Sequence, residues 1–364
     1  MHKSAAWPLA LIYAGLVVYA SLNPFADWRD QGIAPWVFLG APLPRYWTGF
    51  DLAINVAGYA PLGGLLALSS LRTGRVRHAI VVPVLAASVL ALVMEMLQSY
   101  LPARIPSRED WLLNTFGAAL GAVVTILLAK LGAIDRWSQI RARWFVPQSH
   151  GGLVLLALWP LALLFPPAVP FGLGQVMERL EEALAAQLVD TPFLEWLPVR
   201  DTELQPLVPG AEMLCVLLGL LIPCLLGFCV IRARIRRALF VLMAVGVGSA
   251  ATALSAALSW GPVHAWAWLG SPVQVGMVMA LLLALGLTLV PWRTSAALLL
   301  LSLGIYLSLL NQAPESAYFS QTLHAWEQGR FIRFHGLAQW LGWMWPYATL
   351  LYVLSLIWQR DART

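Results

Sequence analysis

Apolar residues run through this chain in blocks, and polar residues collect between them. Runs of near-spanning length occupy about 6–22, 51–71, 79–101, 111–131, 152–170, 210–231, 237–258, 272–291, 295–311 and 337–358. A helix needs roughly 20 predominantly apolar residues to cross a hydrocarbon core. The pattern therefore predicts an all-α fold: a polytopic transmembrane helix bundle of about ten spans, the first, fifth and ninth runs being the shortest. Three connections are long. Residues 23–50, rich in Pro, Gly and Trp, read as an ordered loop near the lipid headgroups. Residues 171–209 place Val176, Leu180, Ala183, Leu184 and Leu188 at helical spacing, which predicts an amphipathic surface helix, either at the interface or as a solvated cover on the bundle. Residues 312–336 carry His324, Glu327, Arg330, Arg333 and His335.

Composition agrees with this reading. The chain is 60% hydrophobic and 11% charged, with a mean hydropathy of +0.73, whereas soluble domains carry about 25% charged residues. Charge then sets an orientation. With the N-terminus in the cytoplasm, the inner segments hold fifteen of the 23 basic residues and the outer segments eight. The positive-inside rule thus places both termini in the cytoplasm. Only Asp135 and Asp361 of the acids fall on inner segments, which leaves the outer face electronegative. Residues 1–25 have signal-peptide features, with Lys3, an apolar stretch and Val18-Tyr19-Ala20. We read them as a retained first helix, because the span count is even only with it.

The basic stretch 132–150 divides the chain. Residues 1–131 form a four-helix membrane domain, 132–150 a cytoplasmic linker and 151–364 a six-helix membrane domain of unknown type. Cys215, Cys224 and Cys229 share one apolar run and read as small buried residues. Tryptophans at run ends, such as Trp47, Trp111, Trp260, Trp292 and Trp358, fit interfacial belts. The arginines form short clusters with no nucleic-acid-binding motif, so no nucleic-acid partner is expected.

One place breaks the apolar pattern. The second run opens with Asp51 and Asn55, four apart on one face. The third closes with Glu95 and Gln98, three apart, with Glu95 about six residues from the end of the run. The fourth opens with Asp110 and Asn114, and Arg104 and Arg108 lie in the loop between. In the predicted topology these groups converge at one level near the outer surface. An ionised carboxylate at the centre of a spanning helix costs at least ~2.5 kcal/mol, so even an off-centre Glu95 is expected to face the bundle. Either Arg104 pairs with it or desolvation keeps it protonated. Gly117-x-x-x-Gly121 permits close helix packing, and Pro61-Leu62-Gly63-Gly64 would kink or thin the second helix.

The order Asp51-x3-Asn55, Pro61-Leu-Gly63, Glu95-x2-Gln98, Arg104, then Asp110-x3-Asn114-Thr115-x-Gly117-x3-Gly121 resembles the VanZ-like family. Ser21-Leu-Asn-Pro-Phe25 is similar to the end of that family's first helix. The resemblance covers about residues 6–131; Arg108 and Glu109 are additions to the pattern. The family is named for a membrane protein linked to teicoplanin resistance, and its molecular activity is not settled. The resemblance therefore implies a fold and a polar site of Asp51, Asn55, Glu95, Gln98, Arg104, Asp110 and Asn114. It implies no reaction, and the six further helices here argue against transferring a resistance role.

Three functions suit such a site. The leading one is a bacterial inner-membrane, multi-pass protein that binds a cell-envelope component, either a membrane lipid headgroup or a lipid-linked precursor. The second is a membrane enzyme in which Glu95 and Asp110 serve as acid and base on a lipid-linked substrate. The third is a transporter or flippase, although transporters usually place charge near the midplane. The bland alternative is a polar clasp between three helices, but such bonds contribute only about 0.6 kcal/mol each on average. The six histidines are scattered, and neither His-Glu-x-x-His nor Gly-x-Ser-x-Gly occurs, so no cofactor or metal is expected. In the second part, His264, His324, His335 and Glu212 are outer-face residues of lower rank.

Overall fold

A computed structural model describes residues 6–23, 25–41, 49–147, 149–189, 191–193, 206–260, 262–314 and 332–361. The side chains of residues 50, 51, 182, 260, 262, 332–337, 360 and 361 lie outside the description. Asp51, His324, Glu327, Arg330, Arg333 and His335 therefore fall outside the described side chains.

Among the described residues the secondary structure is helical, apart from one isolated antiparallel bridge between Phe145 and Ile231. The helices are α1 (Ala6–Leu22), α2 (Gly49–Arg72), α3 (Val81–Gln98), α4 (Arg108–Lys130), α5 (Ala133–Trp144), α6 (His150–Ala162), α7 (Met177–Leu188), α8 (Pro209–Val230), α9 (Arg234–Trp260), α10 (Ser271–Leu287), α11 (Trp292–Leu310) and α12 (Ile332–Asp361). Seven segments, within α2, α3, α4, α8, α9, α11 and α12, have the length and apolar composition to cross a membrane. Three further apolar helices, α1, α6 and α10, are shorter.

Two runs differ from the expected spans. The fifth, read as 152–170, is helical only to Ala162. Phe165-Pro166-Pro167-Ala168-Val169-Pro170 follows, and proline both lacks the N–H a helix needs and disfavours helical geometry in the residue before it. The third run's helix ends at Gln98, so Glu95 sits in its last turn, about 5 Å from the end at 1.5 Å per residue.

The chain forms two compact units, Met1–Ile140 and Arg141–Thr364, with the boundary inside α5. In the first unit, α2 and α4 make the closest pair. A Cβ on Gly117 would collide with the Val56 carbonyl, one on Gly121 with the Ala60 carbonyl, and one on Gly63 with the Ala118 backbone. The glycines on both helices thus let the two backbones touch. α2 continues through Pro61 to Arg72. The core is Val17, Tyr59, Leu62, Ala87, Ala91 and Ala118, and the Tyr13 hydroxyl donates to the Gly58 carbonyl at 2.9 Å. The outward faces are apolar: Leu112, Phe116, Leu120 and Leu127 on α4 and Val81, Leu85, Val89 and Val93 on α3 are exposed. Polar groups inside and apolar stripes outside are what a lipid environment selects.

In the second unit α8 is the centre, buried at every residue from Cys215 to Val230, its three cysteines included. A helix apolar on all sides needs neighbours all round. α6, α9, α10 and α11 supply them, and α12 packs on α6 and α11. Arg237 fastens two helix ends here. Its buried guanidinium donates to the carbonyls of Phe228 (2.8 Å), Ile231 (3.1 Å), Thr288 (3.3 Å) and Val290 (2.7 Å). These lie at the C-terminal ends of α8 and α10, where carbonyls lack intrahelical partners and a cation is favoured.

Candidate functional site

The polar positions of the first unit are organised around the start of α4. Ser107 is extended (φ −137°, ψ 133°), and its Oγ accepts from the N–H groups of Glu109 at 3.1 Å and Asp110 at 3.3 Å. It is an N-cap, and the acids of the first turn, Glu109 and Asp110, suit the positive end of the helix dipole. The Ser107 N–H donates in turn to Glu95 Oε2 at 2.7 Å. The last turn of α3 is thereby bound to the first of α4. Glu95 is 3% exposed, so its carboxyl is committed to the bundle interior.

The other groups join from both sides. Asn55 Nδ2 on α2 donates to Asp110 Oδ1 at 2.7 Å. Gln98 Nε2 donates to the Ser21 carbonyl at 2.9 Å, tying α3 to the end of α1. The Arg104 guanidinium donates to the Asn23 carbonyl through Nε at 3.0 Å and through Nη2. Glu95, Arg104 and Asp110 each have a further interaction beyond these. Two turns into the helices, Ser88 Oγ accepts from Trp111 Nε1 at 3.1 Å and pairs with Thr115 Oγ1 at 3.0 Å.

Asn114 Oδ1, one turn below Asp110 on α4, is buried with no hydrogen-bond partner. The Tyr59 hydroxyl, one turn below Asn55 on α2, is buried beside the Ser21 side chain, to which it hydrogen-bonds, and Glu95. Burying an unpaired polar group costs about 1–3 kcal/mol, so native proteins pair most of them. Asn114 Oδ1 is thus an acceptor still open to a donor.

The loop after α1 packs against the same end of the unit. Gln31 Nε2 donates to the Ser99 carbonyl at 2.8 Å and the Arg29 N–H to the Tyr100 carbonyl at 3.0 Å. Arg108 Nη1 reaches the Leu39 carbonyl at 3.4 Å. Phe25 and Asp27 hold φ of 63° and 59°, a region L-residues seldom occupy unless the surroundings enforce it.

Of the expected site residues, Asn55 and Asp110 are bonded to each other. Glu95, Gln98 and Arg104 bind the α4 cap and the end of α1, and Asn114 is buried below them. The Asp51 side chain lies outside the described residues. Ser107, Tyr59, Ser88 and the carbonyls of Ser21 and Asn23 were not among the expectations. Ser107-x-x-Asp110 carried a capping signal, and Tyr59 stands four residues after Asn55 on the same face. The two carbonyls carry no side-chain signal. Among the described residues no group of three or more His, Cys, Asp or Glu is placed to hold a metal ion.

Comparison with known proteins agrees with the motif. Residues 7–129 match the family model described as VanZ/LLP1, the same third of the chain that carries the motif order above. No curated protein and no solved structure matches the chain. Together with the apolar helices, the match makes this a membrane protein with a VanZ-like N-terminal third.

Proposed function

We propose that the VanZ-like unit binds a cell-envelope lipid, a headgroup or a lipid-linked precursor, at the polar cluster where α2, α3 and α4 meet. The observation that carries this reading is a buried, unpartnered acceptor, Asn114 Oδ1, beside a network in which neighbouring polar groups are paired. A clasp serving only to hold helices together gains nothing from unpaired members. Arg104, on the loop before α4, and Arg108, the first residue of α4, supply the cations that a phosphate-bearing headgroup needs.

The reading places the chain in a bacterial inner membrane with about ten spans, both termini in the cytoplasm and the cluster facing outward. The charge asymmetry, fifteen basic residues against eight, supports this orientation. In this reading α1 and α10, 17 residues each, supply two further spans, whereas α6, with 13 residues, reaches only about 20 Å at 1.5 Å per residue.

A polyprenyl phosphate titrated against delipidated full-length protein, with native mass spectrometry as readout, tests the proposal. It is expected to bind more tightly than a phospholipid of ordinary chain length, and Asn114→Leu is expected to weaken it at least tenfold. Equal binding of both lipids by wild type and variant would overturn the reading.

A further inference from the structure

The second unit contains a cleft of about 430 Å³, within the range of small-ligand sites. One wall is the irregular segment 163–176 that replaces the end of the fifth apolar run. Irregular backbone at membrane depth is tolerated where it is buried in protein or lines a cavity, and this segment does both. Phe171, Gly172, Leu173 and Gly174 are buried, while Pro166, Pro167, Ala168 and Pro170 line the cleft. The segment is held in place from several sides. The Tyr306 hydroxyl donates to the Phe171 carbonyl at 2.7 Å and accepts from the Leu173 N–H. Gly174 N–H donates to the Gly342 carbonyl at 2.8 Å. Phe171 keeps φ at 62° and stands edge-on to Trp268, centroids 5.7 Å apart. Backbone strain of this kind persists only where the surroundings over-determine it, and it gathers at functional sites.

The chemistry of the lining is one-sided. It holds one acidic residue, Glu212 on α8, one histidine, His264, and no Lys or Arg. The three prolines bring carbonyls but no N–H. Several side-chain donors are already used: Ser255 Oγ donates to the Leu164 carbonyl at 2.9 Å and Trp268 Nε1 to the Ala265 carbonyl at 2.9 Å. Thr252 Oγ1, in contrast, is buried without a partner although its residue lines the cleft. Glu212 is the carboxylate of this lining and no Lys or Arg opposes it, so the cleft favours a guest that carries positive charge and donates hydrogen bonds. The apolar walls of Pro166, Pro167, Ala256 and Trp268 suit an attached chain. Glu212 stands in the first turn of α8, near an end of the bundle, where lipid headgroups lie.

We propose that this cleft binds the ammonium group of an amine-bearing amphiphile, with Glu212 as the counter-ion and Thr252 as an acceptor. The site is independent of the polar cluster in the first unit. The test is native mass spectrometry of the full-length protein in detergent. Phosphatidylethanolamine and phosphatidylglycerol with identical chains share the phosphate and differ in the amine. The former is expected to bind about tenfold more tightly, and Glu212→Gln and Thr252→Val are each expected to shrink that preference to twofold or less. Thr252→Val removes an unpaired hydroxyl at nearly constant volume, so it decides the matter if Glu212→Gln does not fold. Free ethanolamine separates the sources: displacement of the lipid at millimolar amine assigns the site to a soluble amine, and no displacement assigns it to the lipid. No preference for the amine lipid in wild type, or a preference surviving in the folded variants, would overturn the proposal.

Discussion

Asn114→Leu separates a binding site from a structural clasp. Asn114 Oδ1 is buried without a partner, and the residue is 6% exposed. In the ligand-free protein the unpaired acceptor costs about 1–3 kcal/mol. Leucine has a similar size and no polar atom, so the substitution removes that cost without opening a cavity. The delipidated variant is therefore expected to be more stable than wild type by roughly 1 kcal/mol, a rise of about 2–4 °C in Tm for a domain of this size. Lipid retention should fall at the same time. The assay is thermal unfolding in detergent, with and without added lipid. Wild type should gain stability from the lipid by mass action, and the variant should not. A variant less stable than wild type by more than about 1 kcal/mol, with its response to lipid intact, would refute the reasoning and make Asn114 a structural residue.

Arg237→Met should be among the most damaging single changes, because four carbonyls at two helix ends lose their donors. A loss of about 3–5 kcal/mol is expected, read as failure of residues 141–364 to resist limited proteolysis; wild-type resistance would contradict it. Gly121→Val places a side chain against the Ala60 carbonyl and must force α2 and α4 apart. Its expected cost is about 1–3 kcal/mol or more, seen as a lowered Tm, whereas Gly15→Val, with open space around it, should be neutral. His150 is held below the ordinary histidine range by partial burial and by the Arg141 guanidinium. Arg141 only donates, so His150 Nε2 accepts, and the folded state prefers the neutral ring. The sign follows: this contribution is present above the unfolded pKa of about 6.5 and is lost as pH falls through the lower folded value. The Tm difference between wild type and His150→Gln should shrink from pH 7.5 to pH 5; a constant difference would contradict it.

The helices were readable because a long apolar run favours a helix, which satisfies its own backbone polar groups, and each of the ten runs contains one. What periodicity did not show is where a run stops being helical. Residues 152–170 are apolar throughout, yet the prolines from Pro166 onward turn the second half into a buried irregular wall. Hydropathy cannot distinguish that from a span, although the prolines themselves could. Arg237 stands in the sequence beside Arg232, Arg234 and Arg236, and nothing local marks it as the buried member. In the polar cluster, side chains at i and i+4 on one face were legible, Asn55 after Asp51 and Asn114 after Asp110. The partners they need were not, since Arg104 and Gln98 bind the carbonyls of Asn23 and Ser21, and any residue type supplies a carbonyl.

The central claim, that the cluster at the ends of α2, α3 and α4 holds an envelope lipid, is tested most directly by what the protein carries when purified. Native mass spectrometry and lipid extraction should be run on wild type beside Glu95→Gln and Arg104→Ala, each checked for wild-type thermal stability. A discrete lipid or lipid-linked species present in wild type and lost from both variants is the predicted result. The same lipid profile in all three folded proteins would contradict the account and leave the cluster as a clasp between helices.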